Sequence, residues 1–145
     1  MTARRVGAVE AERLMREEGY SYLDVRRVDE FAQGHPAGAY NVPWQVRGAQ
    51  GVAPNPDFLA AVRAAFARDH KLIVGCQAGP RSRAAAAALL ADGYADVIDQ
   101  GAGFGGARDA FGRTIEPGWK AAGLPCADTA EPGRDYASLA PKKDG

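Results

Sequence analysis

Cysteine is scarce: Cys76 and Cys126 are the two in a chain of 145 residues. Two thiols are too few for a disulfide framework and fit a reducing compartment, so the cytoplasm is the expected location. Charge of one sign is lacking too, because 18 Lys and Arg balance 18 Asp and Glu. Nothing global therefore points to nucleic acid or a membrane surface, and any preference for an anion must come from a local site. No apolar run approaches the length of a membrane span. The opening M-T-A-R-R-V-G-A-V-E-A-E has no apolar h-region, since Glu10 and Glu12 interrupt it, and no secretory signal is expected. An internal repeat is also missing. What remains, 46% hydrophobic and 25% charged residues, is the make-up of one globular domain able to bury a core.

Short apolar runs alternate with amphipathic segments. Glu10 to Glu18 reads as a helix with Ala11, Leu14 and Met15 on one face and Gly19 as its stop. Tyr20 to Val25 reads as a strand, Val28 to Gln33 as one or two helical turns ended by Gly34, and Ala39 to Val42 as a short strand closed by Pro43. Trp44 to Ala53, broken by Gly48 and Gly51, reads as loop. Asn55-Pro56-Asp57 marks a helix start with Asn55 as N-cap, and Phe58, Leu59, Val62 and Phe66 form its stripe. Lys71 to Gly75 is a buried strand, Arg81 to Asp92 a helix closed by Gly93, and Ala95 to Asp99 a last strand. Gly101 to Trp119 is glycine-rich and irregular. The polar tail from residue 126 to 145 is expected to fray. Strands alternating with helices predict an α/β fold with a parallel sheet. Ligands of such sheets gather beyond the carboxyl ends of the strands, where Cys76 lies.

The stretch Ile73 to Ser82, I-V-G-C-Q-A-G-P-R-S, sets Cys76 in front of a helix start. Thiol chemistry runs through the thiolate, which helix N-termini favour. Successive amides in such a turn form a nest for anions, and Gly79 lets an anion approach the backbone. Arg81 adds a permanently protonated fork. This combination suits an anionic sulfur with a small oxyanion beside it, and covalent catalysis in which Cys76 carries a group between two half-reactions. A cysteine kept only for packing is the alternative, and it would not require Gly79, Arg81 and a helix start together.

Cys76 to Ser82, C-Q-A-G-P-R-S, resembles the active-site loop of the single-domain rhodanese-like sulfurtransferases, C-x-x-G-x-R-S. Leu23 to Arg26 with Glu30 and Phe31, Gly34 to Pro43 (G-H-P-A-G-A-Y-N-V-P), and Trp119 to Pro125 (W-K-A-A-G-L-P) resemble three further family segments, in order. The resemblance spans roughly residues 6–125. It implies a five-stranded parallel sheet flanked by helices on both faces, and a Cys76 persulfide as intermediate. Cys76 then corresponds to the catalytic, sulfur-accepting nucleophile. Gln77, Ala78, Gly79, Arg81 and Ser82 correspond to the substrate-binding loop, with Arg81 as its anion-facing arginine. Asp24 and Arg26 match near-site positions, where a structural role is an equal alternative, and Arg26 could simply pair with Glu30. Neither a metal nor a cofactor is implied. The implied partners are a small anionic sulfur donor such as thiosulfate, a thiol or cyanide acceptor, and in some settings a protein donor or acceptor; neither nucleic acid nor membrane is among them.

Two rivals stand beside this reading. One is a persulfide carrier or binding module with little turnover of its own. The other is a phosphatase or arsenate reductase, disfavoured because only four residues separate Cys76 from Arg81 whereas phosphatase loops of this kind use one more. Pro80 supplies no N–H, so the nest lacks one donor. His35, between Gly34 and Pro36, is expected to bond backbone in its turn rather than act as a base. G-A-G-F-G-G at Gly101 matches G-x-G-x-x-G without the strand–helix context of a nucleotide site, and is expected to be a flexible rim loop. Cys126 is expected to be incidental.

Overall fold

The computed structural model describes residues 2–142. In chain order the elements are β1 (Arg4–Val6), α1 (Ala8–Glu18), β2 (Ser21–Asp24), α2 (Val28–Gln33), β3 (His35–Pro36), β4 (Tyr40–Asn41), β5 (Gln45–Gly48), β6 (Gly51–Pro54), α3 (Phe58–Ala65), β7 (Leu72–Gly75), α4 (Pro80–Ala91), β8 (Val97–Gln100), β9 (Ala107–Arg108), β10 (Thr114–Glu116), β11 (Cys126–Ala127) and α5 (Tyr136–Leu139). The main sheet has five strands in the order β1-β8-β7-β2-β4, with every pairing parallel. A five-stranded parallel sheet of an α/β fold is what the sequence resemblance implies.

Side-chain alternation along the strands divides the core in two. Leu23, Leu72, Val74 and Val97 point into one cluster, which also holds Phe58 and Val62 of α3 and Ala85, Ala86 and Leu89 of α4. Tyr22, Ile73 and Ile98 point the other way, against Ala8, Ala11 and Leu14 of α1. Helices therefore cover both faces. The alanines of α4 bring its axis close to the sheet, and the buried set Ser82, Ala85, Ala86 and Leu89 keeps helical spacing. Register sets the site: Asp24 lies opposite Gly75, and Gly75 opposite Gln100. Three strands thus end level, and the residues following them, Val25, Cys76 and Gly101, meet at one edge.

Several expectations need correction. The edge strand β1 lies opposite Ile98 to Gln100 and begins before residue 6. Its Arg4-Arg5 start is exposed and gives no apolar signal. Trp44 to Ala53 is not simple loop: Gln45 to Gly48 and Gly51 to Pro54 form an antiparallel hairpin. That hairpin is largely exposed, so burial imposes no apolar alternation on it. α3 begins later than Asn55 suggests, with Asp57 as N-cap. Asn55 instead accepts from Asp57 N at 3.0 Å and donates to Pro43 O at 2.9 Å, pinning the entry to the helix. Gly101 to Trp119 is organised too, since β9 and β10 pair as an antiparallel hairpin.

The tail does not fray over its described part. Cys126 and Ala127 pair antiparallel with Pro36 and His35. Arg134 O accepts from Asn41 N at 2.9 Å, the Arg134 guanidinium donates to Gly38 O at 2.8 Å, and Tyr136 Oη accepts from Asn55 Nδ2 at 3.1 Å. Backbone groups left by short β3 and β4 find partners in this return segment, which is the physical reason that it docks. Residues 143–145 of the predicted tail lie outside the described residues.

Candidate active site

Cys76 follows β7 directly and is 1% exposed. Gly75 is needed just before it, because a Cβ there would fall 1.8 Å from Tyr22 Oη. The chain then turns through Gln77 and Ala78 to Gly79, whose φ of 119° an L side chain rarely adopts, and α4 starts at Pro80. Gly79 N donates to Cys76 Sγ at 3.1 Å. Ser82 Oγ lies 3.5 Å from the same sulfur.

The glycine run after β8 determines which way this loop faces. Phe104 N donates to Cys76 O at 2.8 Å and Gly105 N to Gln77 O at 2.9 Å. In a trans peptide the C=O and the following N–H point in opposite directions. With the carbonyls of Cys76 and Gln77 tied to the glycine run, the amides of Gln77 and Ala78 turn away from it, and they make no hydrogen bond among the described residues. Together with the first-turn amides of α4, they leave a group of unpaired donors beside Cys76. Gly103 has no room for a side chain against the backbone, and Gly105 has room for one only if the Gln77 side chain moves. A Cβ on Gly103 would lie 2.4 Å from Gln77 O, and one on Gly105 2.1 Å from Gln77 Nε2. Gly101 to Gly105 is therefore a backing plate bonded to the cysteine loop, where a loose rim was expected.

Asp24 and Arg26 are brought to the edge of the site, Arg26 as part of the cleft wall. Both are buried, and Arg26 forks onto Asp24 with Nη2–Oδ2 at 2.8 Å and Nε–Oδ1 at 3.1 Å. The same guanidinium donates to Gly34 O at 2.7 Å and Gln77 Oε1 at 3.2 Å, and stacks 4.5 Å above the Phe104 ring. Arg26 thus joins β2, α2, the glycine run and the cysteine loop, and it does not pair with Glu30. Breaking such a buried pair costs about 3–5 kcal/mol. The Gln77 side chain is held back by this contact, so its contribution to the nest is its amide.

Arg81 is not a free fork. Its Nη1 lies 2.6 Å from Glu30 Oε1 and its Nη2 3.0 Å from Oε2. Glu30 Oε1 also accepts from Arg27 N at 3.1 Å, closing the first turn of α2. Partial burial pushes the Glu30 carboxyl up, but hydrogen bonds from Arg81 and Arg27 outweigh it and hold the group at about 2. No sequence signal marked this contact, because the partners are 51 positions apart. Glu30, Arg26, Gln77, Phe104 and Lys120 line a cleft of about 400 Å³ beside the loop.

His35 behaves as its turn position predicts: it is 1% exposed, its Nδ1 lies 2.8 Å from Phe31 O, and its ring stacks on Phe31 at 3.6 Å. Trp119 explains the closing motif. It is 1% exposed, packs edge-on against Tyr22 at 5.4 Å, and donates from Nε1 to Pro125 O at 2.7 Å.

A family model described as a rhodanese-like domain matches residues 7–106. Thiosulfate sulfurtransferase 16, chloroplastic, of Arabidopsis thaliana is 51% identical over 81 residues, covering 56% of this chain and 68% of that protein. Senescence-associated protein DIN1 of Raphanus sativus is 41% identical over 96 residues, covering 66% of this chain and 52% of that protein. This chain spans about half the length of several curated relatives it matches. Among solved structures, Rv0390 of M. tuberculosis superposes with a TM-score of 0.71 at 28% identity, over 89% of this chain and 100% of that one. The human single-domain sulfurtransferase TSTD1 shares the fold with a TM-score of 0.57 at 23% identity, over 70% of this chain and 92% of that one.

Proposed function

The chain belongs to the rhodanese-like domain family, and on that premise we propose that it is a sulfurtransferase in which Cys76 carries sulfane sulfur as a persulfide. One observation carries the reading. The sulfur that would be charged accepts an N–H from Gly79 at 3.1 Å, in a loop whose next amides face outward because their carbonyls are bonded behind. Charge-assisted bonds of this kind are about twice as strong as neutral ones. The nest therefore favours both the attacking thiolate and the terminal sulfur of the persulfide.

In the first half-reaction Cys76 Sγ attacks the outer sulfur of a donor such as thiosulfate, and sulfite leaves with the electron pair of the broken S–S bond. In the second, cyanide or a thiolate takes the outer sulfur and Cys76 departs as a thiolate. The amides of Gln77, Ala78, Arg81 and Ser82 hold the transferred atom. Lys120, exposed at the cleft, supplies positive charge that Glu30 does not neutralise. Arg81 sets the height of the loop through Glu30 and adds a weaker attraction for the donor than a free guanidinium would. A reducing compartment, the cytoplasm in our reading, keeps Cys76 and Cys126 as thiols.

Intact mass spectrometry after thiosulfate treatment tests the proposal. One added sulfur is expected, lost on incubation with cyanide as thiocyanate forms. No mass gain would end the sulfurtransferase reading. Gain without steady-state thiocyanate production would replace it with a sulfur carrier serving a partner protein.

A further inference from the structure

Between α4 and β8 a short polar chain is buried against Cys76. Ser82 is 0% exposed and Asp99 is 4% exposed. Ser82 Oγ lies 2.7 Å from Asp99 Oδ1, 3.5 Å from Cys76 Sγ and 3.0 Å from Gly79 O. That carbonyl also accepts the first bond of α4, from Arg83 N at 3.1 Å, and with its second lone pair it competes with the carboxyl and the sulfur for the hydroxyl proton.

A hydroxyl carries one proton and two lone pairs. If Ser82 donates to an ionised Asp99, its lone pairs face Sγ; this suits a thiol S–H and opposes an anionic sulfur. If Asp99 is protonated, its O–H donates to Ser82 Oγ and the Ser82 proton is free to point at the sulfur. The direction of one buried hydroxyl thus couples two acids. Burial pushes the Asp99 carboxyl above its ordinary value, against the Ser82 hydrogen bond and the charges of Arg5 and Arg83. These are the charged groups facing it: Arg5 comes from β1 and is itself paired with Glu116 of β10, and Arg83 comes from α4. A cavity of about 190 Å³, whose lining includes Arg5, Arg83, Asp99, Gly79 and Gly101, lies beside the carboxyl.

We propose that Asp99 is a positioning residue for Cys76: acting through Ser82, it takes up the thiol proton and turns the Ser82 hydroxyl toward the anionic sulfur. The transfer balances. The Cys76 S–H bond breaks and its proton passes to Ser82 Oγ, while the proton already on Ser82 passes to Asp99 Oδ1. The freed pair on Sγ is the nucleophile, and no oxidant or reductant is involved. In the second half-reaction Sγ departs with the pair of the broken S–S bond and meets the same hydroxyl. Only those sulfur-transfer steps rest on the proposed function; the proton coupling belongs to the thiol itself.

Alkylation of Cys76 by iodoacetamide, followed against pH in the Cys126→Ser background, reads the coupling without any sulfur donor. The background protein is expected to show a broad profile with two coupled steps. Asp99→Asn cannot hold the proton and removes a buried like charge. It is expected to give a single step, shifted to lower pH by roughly one unit. Ser82→Ala cuts the link at its other end and should also give a single step, whereas Ser82→Thr keeps a hydroxyl and should restore the broad profile. Unchanged profiles in Asp99→Asn and Ser82→Ala, each folded by circular dichroism, would overturn the proposal. So would matching profiles for Ser82→Thr and Ser82→Ala, which would mark a packing role. If Asp99→Asn does not fold, the Ser82 pair decides. Coupled alkylation in a protein that takes no sulfur from thiosulfate would sink the proposed function while leaving this inference standing.

Discussion

Cys126 is the exposed thiol of this chain and Cys76 the buried one, yet the donors surround Cys76. Cys126 sits on the two-residue strand β11, and among the described residues the hydrogen-bond partner of its thiol is Leu124 O, an acceptor, at 3.4 Å. Cys76 meets an amide donor at 3.1 Å and a hydroxyl at 3.5 Å. Accessibility alone would favour the first for reaction with a small anion. Electrostatics favours the second, because anionic sulfur is stabilised by oriented dipoles and opposed by a carbonyl. The difference comes from what backs each loop: a glycine run bonded to the Cys76 loop, and a short strand with solvent on its outer side at Cys126.

Exchanging the two sulfurs breaks this comparison most directly. Cys76→Ser is expected to lower thiosulfate:cyanide turnover by at least about 1,000-fold, because a serine hydroxyl is a far poorer nucleophile near neutral pH. Cys126→Ser should leave turnover within about twofold. Steady-state thiocyanate formation checks both, and the reverse pattern would mean that the active sulfur had been misassigned.

The next test exchanges the backing. Gly103 and Gly123 share nearly the same backbone, φ 71° and 76°, but a Cβ on Gly103 meets Gln77 O at 2.4 Å and Cys76 O at 2.7 Å, while one on Gly123 meets nothing within 4 Å. Alanine in this backbone region costs about 1–2 kcal/mol wherever it sits. Gly123→Ala should therefore lower the melting temperature by only a few degrees and leave sulfur loading alone. Gly103→Ala must also displace the cysteine loop. A loss of about 3 kcal/mol or more is expected, with markedly slower loading in stopped-flow persulfidation. Equal stability losses for the two variants would mean that the loop yields without strain.

Sequence reasoning reaches the parts of this molecule that are local. Gly19 ends α1 in the left-handed conformation expected of a C-cap, and Cys76 stands before a helix whose first residue is a proline. The buried strands β2, β7 and β8 are apolar enough to announce themselves. β1 and the β5–β6 hairpin do not, because exposed strands carry no such pattern. The contacts that complete the site are non-local. Glu30 reaches Arg81, Asp99 reaches Ser82, and Phe104 and Gly105 bond the loop carbonyls. Each depends on strands ending level, and sheet register is not written in any single segment. Arg81 could be placed near the sulfur from its spacing, whereas its partner could not.

That partner supplies the third test, smaller in effect. Arg81→Ala removes the fork from the half-buried Glu30 carboxylate and leaves it only its Arg27 contacts beside the cleft, so the KM for thiosulfate should rise by about tenfold, with kcat less affected. Glu30→Gln frees the guanidinium and should lower KM. An unchanged KM in Arg81→Ala would remove Arg81 from donor binding. The pair also predicts an acid limit. Glu30 is held at about 2, below its ordinary 4.5, so its stabilisation is complete above that ordinary value and is lost as pH falls toward 2. The loss is on the order of 2–3 kcal/mol, and Glu30→Gln should flatten that part of the stability–pH curve.

The smallest effect is expected at Pro80, where two properties of one residue oppose each other. Proline at the first position of α4 fixes φ near the helical value and restrains the unfolded chain, which is worth about 0.4–1 kcal/mol. It also withholds an N–H from the nest, and a charge-assisted bond to sulfur is worth about 1.5–3 kcal/mol when well formed. Gly79 precedes it at φ 119°, so Pro80→Gly places two unrestrained residues in succession and the melting temperature should fall by a few degrees. The new amide would join the unpaired first-turn donors of α4, next to Gly79 N, which already bonds Sγ. Because the amides of Gln77, Ala78, Gly79, Arg81 and Ser82 are already in place, one more donor adds less than the first, and loading by thiosulfate should quicken by less than about tenfold. Stopped-flow persulfidation of the two proteins decides between the effects. A slower glycine variant would mean that rigidity of the turn, and not the number of donors, governs how fast Cys76 takes sulfur.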